Sequence, residues 1–181
     1  MLLLPFFWNG VLAALQLAFG FGTVDRSQIG RGLYRVPINL FGGIFIFISE
    51  EFGWRSFLLE KMRPLGRWNA LFLSGAIWSL WHAPLVLTPG NIYTERWDPG
   101  GAVLALLIFV LVGFIFGWMY LESNSVWPCV LMHSYNNLIS TKLFREAWSI
   151  STEPTLLKND LMAIGPILLV WFALYWKRCY T

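Results

Sequence analysis

Apolar stretches long enough to cross a lipid bilayer recur along the whole sequence, and this recurrence constrains the fold more than any other feature. A helix of about 20 residues rises roughly 30 Å, which is the thickness of a bilayer's hydrocarbon core. With 57% hydrophobic and 13% charged residues, the chain also lies outside the composition of ordinary soluble domains. The sequence therefore predicts an all-α, polytopic transmembrane helix bundle that forms a single domain over residues 1–181.

Hydropathy predicts about six membrane segments joined by short connections. The first connection is the polar stretch from Thr23 to Arg35, and the second runs from Glu60 to Trp68. The third, from Thr88 to Gly101, is predicted to contain a turn because prolines and glycines cluster there. The first segment lacks a basic region and a small-residue cleavage pattern, so it is predicted to be a retained helix. The segments lie roughly at 2–22, 34–59, 69–88, 101–121, 125–144 and 160–176.

Charge and aromatic residues indicate what the chain contacts. The net charge is +3, and Lys and Arg are scattered over short connections, which excludes a nucleic-acid partner. The 11 Trp and 6 Tyr residues fit interfacial belts in a lipid bilayer. Lys and Arg occur on both sides of a six-helix topology, so the orientation stays open. Cys129 and Cys179 have neither the number nor the spacing of a disulfide framework or a zinc site.

Gly113 and Gly117 are four residues apart on an apolar segment. This spacing lets a second backbone approach closely, so the sequence predicts tight packing of this helix against a neighbour.

The first polar cluster within a predicted segment is formed by Glu50, Glu51 and Arg55. Ionisable groups at membrane depth are costly unless they face a protein interior or water. Glu51 and Arg55 are one helical turn apart, which predicts an ion pair. Glu50 points about 100° away, which leaves its carboxylate to face a cavity as a general base.

The second cluster surrounds His82, between Trp78 and Pro84. Because proline donates no backbone hydrogen bond, the helix is predicted to kink or end near His82 and to open a polar niche.

The third cluster contains His133 and Asn137, which are one helical turn apart and can point at the same atom, whereas Asn136 faces elsewhere. Both histidines of the chain, a carboxylate pair and an asparagine thus lie at membrane depth on three helices. A bundle can bring them together in one polar intramembrane cavity.

This set of side chains predicts peptide hydrolysis. Glu50 and His82 can deprotonate and orient a water, while His133 and Asn137 can donate hydrogen bonds to the oxyanion that forms. Ser79 and Ser134 adjoin histidines only in sequence and do not face them on a helix, which argues against a serine protease. A transporter or proton relay, or haem held between the two histidines, are alternative uses of the same residues.

At these residues the sequence resembles the CAAX-protease and bacteriocin-processing family, also called the type II CAAX prenyl endopeptidase or abortive-infection family. The family pattern has a double glutamate and, after three further residues, an arginine, here Glu50, Glu51 and Arg55. It then has an aromatic residue and, after three further residues, a histidine, here Trp78 and His82. Last comes a histidine and, after three further residues, an asparagine, here His133 and Asn137. The resemblance covers residues 40–140; Ser56 stands where glycine is usual, and Trp78 where phenylalanine is commoner.

The resemblance implies a glutamate-type intramembrane endopeptidase in a prokaryotic cell membrane. Its base would be Glu50, assisted by His82, and its oxyanion would be held by His133 and Asn137. Glu51, Arg55 and Trp78 would support the site. The substrate would be a membrane-associated peptide or protein, and a prenylated CAAX-type protein is one candidate.

Two alternatives remain within the family. Glu50, His82 and His133 could form a zinc site with two histidines and one carboxylate, although we favour a mechanism without metal or other cofactor because the His-Glu-x-x-His helix is absent. The same fold could also bind a membrane peptide or a partner protein without catalysis, as an immunity protein or a scaffold.

Overall fold

In the part of the chain that the structure describes, six α-helices of 12 residues or more form the bundle. The computed structural model describes residues 4–20, 23–24, 26–89, 98–138, 148–149 and 156–180. The helices are α1 (Leu4–Ala18), α2 (Arg26–Glu51), α3 (Arg67–Leu87), α4 (Pro99–Ser123), α5 (Trp127–Leu138) and α6 (Leu156–Tyr180). The predicted all-α bundle is confirmed, and residues 139–144 of the fifth predicted segment lie outside the described residues.

Two helices begin inside predicted connections. Helix α2 already begins at Arg26, because hydropathy marks the apolar part of a helix and not the point where its backbone hydrogen bonds start. Helix α4 begins at Pro99, inside the predicted turn. The Asp98 carboxylate caps it by accepting a hydrogen bond of 2.6 Å from the Gly101 N–H. Proline fits the first helical position because a backbone N–H there would have no acceptor within the helix, so its absence costs nothing.

A π-helix, Phe52–Leu59, follows α2 without a break, whereas the sequence predicted one regular helix over 34–59. A π-helix has wider turns than an α-helix, and this form is frequent at functional sites. A helical turn at Glu60–Met62 and a 3-10 turn at Arg63–Leu65 complete the connection. Gly66 then reverses the chain into α3 with a φ of +88°, a conformation that glycine adopts without steric cost.

A two-residue ribbon joins distant parts of the chain. Thr23 lies opposite Ser149, and Val24 opposite Trp148, in an antiparallel pair. The all-α prediction did not include this ribbon, which is too short to give an alternating hydrophobic pattern.

Helix α4 is the central helix of the bundle. Every residue from Val112 to Tyr120 is buried, and α4 packs against α3, α5 and α6. A helical segment that is buried on all sides needs no polar face, which explains the apolar sequence over these nine residues.

Helices α3 and α4 cross at two glycines. A Cβ built on Gly113 would lie 3.0 Å from the Gly75 Cα, and a Cβ built on Gly75 would lie 2.8 Å from the Val110 carbonyl oxygen. A Cβ on Gly117 would lie 2.8 Å from a Leu71 methyl group. The predicted tight packing at Gly113 and Gly117 is therefore confirmed.

Two of the described helices, α3 and α4, are long and apolar enough to cross a membrane. Phe41, Phe45 and Leu80 keep 67%, 66% and 66% of their surfaces exposed. Large apolar side chains on the outside of a helical bundle are typical of a protein that contacts lipid. The predicted total of about six spans stays a prediction.

Candidate active site

Glu51 is the point where two helices of the site meet. Its Oε2 accepts a hydrogen bond of 2.9 Å from the Arg55 Nε, and its Oε1 accepts one of 2.7 Å from the His133 Nδ1. Glu51 and Arg55 are both 0% exposed, so each charge depends on the other for compensation. The pair predicted from the spacing is present, and the link to His133 on α5 was not predicted.

The Arg55 guanidinium lies between two aromatic rings. Its Cζ is 5.5 Å from the centroid of the Trp78 ring and 5.5 Å from that of the Phe116 ring. Aromatic faces attract a cation and thus reduce the cost of burying it. Nη1 and Nη2 of this buried group have no hydrogen-bond partner in the described part of the chain.

The His133 imidazole is enclosed by aromatic residues from three helices. The Phe47 ring stacks on it at a centroid distance of 4.1 Å and an interplanar angle of 26°. Phe116 lies 5.3 Å away at 50°, and Trp78 lies edge-on at 5.9 Å and 82°. Because the carboxylate of Glu51 accepts from Nδ1, Nε2 is the ring nitrogen that remains for another partner.

His82 is bound in a similar way on α3. Its Nδ1 lies 2.9 Å from the Trp78 carbonyl oxygen, and since a carbonyl only accepts, this contact assigns the hydrogen to Nδ1. In neutral His82, Nε2 is then the acceptor. The Phe109 ring stacks on the imidazole at 4.4 Å and 22°, and Trp81 meets it edge-on at 4.9 Å and 89°.

Helix α3 does not end near His82. It continues through Pro84 to Leu87, although proline cannot donate to the Leu80 carbonyl. The Thr88 hydroxyl donates a hydrogen bond of 2.7 Å to the Pro84 carbonyl and satisfies one acceptor of the last turn. Because proline is tolerated within helices in apolar surroundings, the predicted end of the helix near His82 is wrong, whereas the predicted kink stays a prediction.

Glu50 and Glu51 differ in environment although they are neighbours in sequence. Glu51 is fully buried and bound to Arg55 and His133, whereas Glu50 is only half-buried at the end of α2. Glu50 also lies close enough to His133 to interact with it electrostatically. That Glu50 is the carboxylate facing the site stays a prediction.

The two asparagines of α5 point to different partners. The Asn136 Oδ1 accepts a hydrogen bond of 2.9 Å from the Trp8 Nε1 on α1. Asn136 therefore faces away from the site, as the helical spacing predicted. Asn137 lies one helical turn after His133 on the half-buried part of α5.

The site is assembled around Trp78. Its ring contacts Arg55, His82 and His133, so residues from the π-helix, α3 and α5 meet there. Sequence reasoning missed three phenylalanines that contact the histidines: Phe47, Phe109 and Phe116. Phe47 could have been found, because it lies one turn before Glu51 on α2.

The described residues contain no group of three or more His, Cys, Asp or Glu side chains arranged to hold a metal ion. Glu50, His82 and His133 are therefore not placed as the three ligands of one zinc ion, which was the alternative considered from the sequence.

Comparison with known proteins places the chain in a family. Residues 32–139, more than half of the chain, match the family described as type II CAAX prenyl endopeptidase Rce1-like. The chain is 27% identical over 132 residues to CAAX prenyl protease 2 of Methanococcus maripaludis. That match covers 68% of this chain and 48% of the relative, so the chain spans about half the length of the relative. No solved structure is significantly similar to the chain.

Proposed function

The chain belongs to the type II CAAX prenyl endopeptidase Rce1-like family, and from this premise we propose that it is a glutamate-type intramembrane endopeptidase. It would hydrolyse a peptide bond in a membrane-associated substrate, with Glu50 as the base. The observation that carries the proposal is the unequal environment of the two glutamates. Glu51 is bound by Arg55 and His133, which leaves the half-buried Glu50 as the carboxylate able to take a proton.

The proposed nucleophile is a water held by Glu50 and His82. Both groups can accept a hydrogen bond from it, because the hydrogen assigned to His82 Nδ1 leaves Nε2 as an acceptor. With both of its hydrogens engaged, the water directs an oxygen lone pair at the peptide carbonyl. This positioning converts attack on the carbonyl into an effectively intramolecular step.

The proposed oxyanion site uses His133 and Asn137. Since His133 Nδ1 donates to Glu51, the hydrogen given to the oxyanion must be the one on Nε2, which requires the imidazolium form. The Asn137 amide supplies the second donor.

The proposed reaction balances without a metal or a covalent intermediate. The water oxygen bonds to the carbonyl carbon while one of its protons passes to Glu50, and the carbonyl oxygen becomes the oxyanion. When the C–N bond breaks, the electron pair returns to form the carbonyl, and Glu50 gives its proton to the leaving nitrogen. The products are an amine and a carboxylic acid, which keeps the second hydrogen of the water until it ionises in solvent.

The substrate proposal follows the family. A prenylated peptide with a CAAX-type end is the first candidate substrate. The matched family is described as a CAAX prenyl endopeptidase, and the M. maripaludis relative is named a CAAX prenyl protease. A multi-pass topology in a prokaryotic cell membrane, over a single domain, completes the proposal. It is supported by the two apolar helices long enough to cross a bilayer.

Cleavage of a quenched fluorescent farnesylated CAAX peptide in detergent tests this function. We expect wild type and Glu122→Gln to cleave it, and Glu50→Gln to lose cleavage while keeping the wild-type melting temperature. We expect His82→Ala to lose cleavage while still folding, with a lower melting temperature because it removes a buried, packed ring. Glu122 is a matched control because its carboxylate is 46% exposed at the far end of α4. A strong chelator should have no effect.

Each other outcome has a definite meaning. Cleavage that survives Glu50→Gln would overturn the assignment of the base, and chelator-sensitive cleavage would favour a metalloenzyme. A folded wild type that binds the peptide without cleaving it would favour the non-catalytic role.

A further inference from the structure

We propose that Phe47 and Phe109 are positioning residues for this reaction. Each lays its ring against the face of one histidine, His133 or His82, and so fixes the plane of the imidazole. The inference rests on the proposed function, in which the Nε2 atoms of these histidines meet the reacting groups.

The two histidines are held by the same pair of constraints. Each imidazole makes one hydrogen bond at Nδ1, to the Glu51 carboxylate for His133 and to the Trp78 carbonyl for His82. A single hydrogen bond fixes the direction of Nδ1 but leaves the ring free to tilt about the bond. A ring stacked on its face removes that freedom, and the angles of 26° and 22° are those of near-parallel stacks.

Phe47 and Glu51 hold His133 from one helix. They are one turn apart on α2, so one side chain meets the edge of the imidazole and the other its face. The position of His133 Nε2 is then set by α2 and not by α5 alone.

Phe109 lies on α4 and packs against His82 on the neighbouring helix α3. Its ring stacks on the imidazole and meets Trp78 edge-on at 5.7 Å and 85°. Because α3 and α4 touch at Gly75 and Gly113, the register of this contact is fixed one turn from Phe109.

Precise orientation matters for both proposed tasks of the histidines. A hydrogen bond weakens steeply as its angle closes below about 120°, so a tilted imidazole would donate to an oxyanion or accept from water poorly. A misplacement of about 1 Å can lower a rate by about a hundredfold. We expect removal of either ring to lower kcat without a comparable change in KM.

The kinetic test uses leucine and tyrosine variants of both phenylalanines in the full chain. Phe47→Leu and Phe109→Leu should lower kcat at least tenfold, on the order expected for misorientation, with KM within about twofold. Tyrosine keeps the stacked ring, so Phe47→Tyr and Phe109→Tyr should restore kcat to within about threefold of wild type. Phe45→Leu is the matched control because Phe45 is 66% exposed on the same helix as Phe47.

Melting temperatures of the Phe47 and Phe109 variants show whether a loss of kcat comes from a misoriented histidine or from a destabilised fold. If Phe47→Leu does not fold, Phe47→Met takes its place, since methionine fills irregular space but cannot stack as a phenyl ring does. Leucine variants with wild-type kcat would overturn the proposal. Folded tyrosine variants that stay as slow as the leucine variants would overturn it as well.

A second measurement does not depend on turnover. The chain has 2 histidines, so the imidazole ¹⁵N spectrum of protein labelled at histidine contains two rings. We expect hydrogen on Nδ1 of both, and we expect Phe47→Leu to shift the signals of one ring while Phe45→Leu shifts neither. Unchanged signals in Phe47→Leu and Phe109→Leu would overturn the positioning role even if wild type cleaves no peptide tested, whereas shifted signals without cleavage would count against the proposed function alone.

Discussion

His133 donates a hydrogen bond of 2.7 Å from Nδ1 to the carboxylate of Glu51, which lies 82 positions earlier in the chain. The same carboxylate binds Arg55, so one buried anion connects α2, the π-helix and α5. A buried carboxylate with two cationic or donor partners is costly to disturb. The bond therefore gives Glu51 a different role from that of Glu50, although the two residues are adjacent and chemically identical.

We expect Glu50→Gln and Glu51→Gln to separate these roles. Glu51→Gln leaves the buried Arg55 guanidinium without its counter-charge, which should lower the free energy of unfolding by about 3 kcal/mol or more. Glu50→Gln should abolish cleavage and leave stability nearly unchanged, because Glu50 is half-buried. Thermal unfolding in detergent, measured beside peptide cleavage, checks both. Equal destabilisation by the two variants would contradict the assignment.

Asn137→Ala and Asn136→Ala should differ in what they damage. Removing the Asn137 amide should lower kcat by about 10² to 10³, the usual loss for one oxyanion donor, with little effect on KM. Asn136→Ala removes the hydrogen bond from Trp8 and should cost about 1 kcal/mol of stability while kcat stays within a few-fold of wild type. Steady-state kinetics and thermal unfolding of both variants test this assignment. A large loss of kcat in Asn136→Ala, with none in Asn137→Ala, would place the oxyanion beside Asn136.

Local spacing predicted the parts of the site that lie on one helix. The Glu51–Arg55 pair and the divergence of Asn136 from the site follow from helical periodicity alone. Hydropathy likewise located the centres of the described helices, since burial in lipid or protein selects apolar residues. The boundaries predicted from hydropathy were wrong where polar residues continue a helix, as at the start of α2.

Contacts between helices were beyond the sequence because they depend on helix register. Helix α4 is apolar on every side, so the periodicity of its sequence does not show which of its residues faces His82. For this reason the contact of Phe109 with His82 could not be predicted from the sequence. The Glu51–His133 bond depends on how α5 docks on α2. The π-helix also has no marker in spacing, since its wider turn carries the same apolar residues as an α-helix.

Gly113→Ala should destabilise the bundle more than Gly117→Ala. The new methyl group at 113 would meet the backbone of α3 at 3.0 Å, whereas at 117 it would meet the flexible end of Leu71. Overpacking against backbone typically costs about 1–3 kcal/mol, and a side-chain end can move aside. Gly42→Ala is the control, because a Cβ there has nothing within 4 Å. Melting temperatures of the three variants in one detergent test the order, and a larger loss at 117 would contradict the close backbone crossing.

Trp78→Phe should preserve activity, whereas Trp78→Ala should lose it together with stability. Phenylalanine keeps an aromatic face for Arg55 and an edge for His82, and it removes an indole N–H that is buried without a partner among the described residues. Since such a donor contributes no stabilising hydrogen bond, its loss costs little, and we expect cleavage within about threefold of wild type. Alanine instead leaves a cavity where the π-helix, α3 and α5 meet, at a cost of about 3–5 kcal/mol.

Cleavage rates and unfolding midpoints of the two Trp78 variants show whether Trp78 acts through the packing of its ring or through hydrogen-bond donation by its indole N–H. A folded Trp78→Phe variant that no longer cleaves would mean that the indole N–H itself binds the substrate or a water in the site. That result would assign Trp78 a direct role in place of the supporting one, because a phenyl ring retains its contacts with Arg55, His82 and His133 but cannot donate.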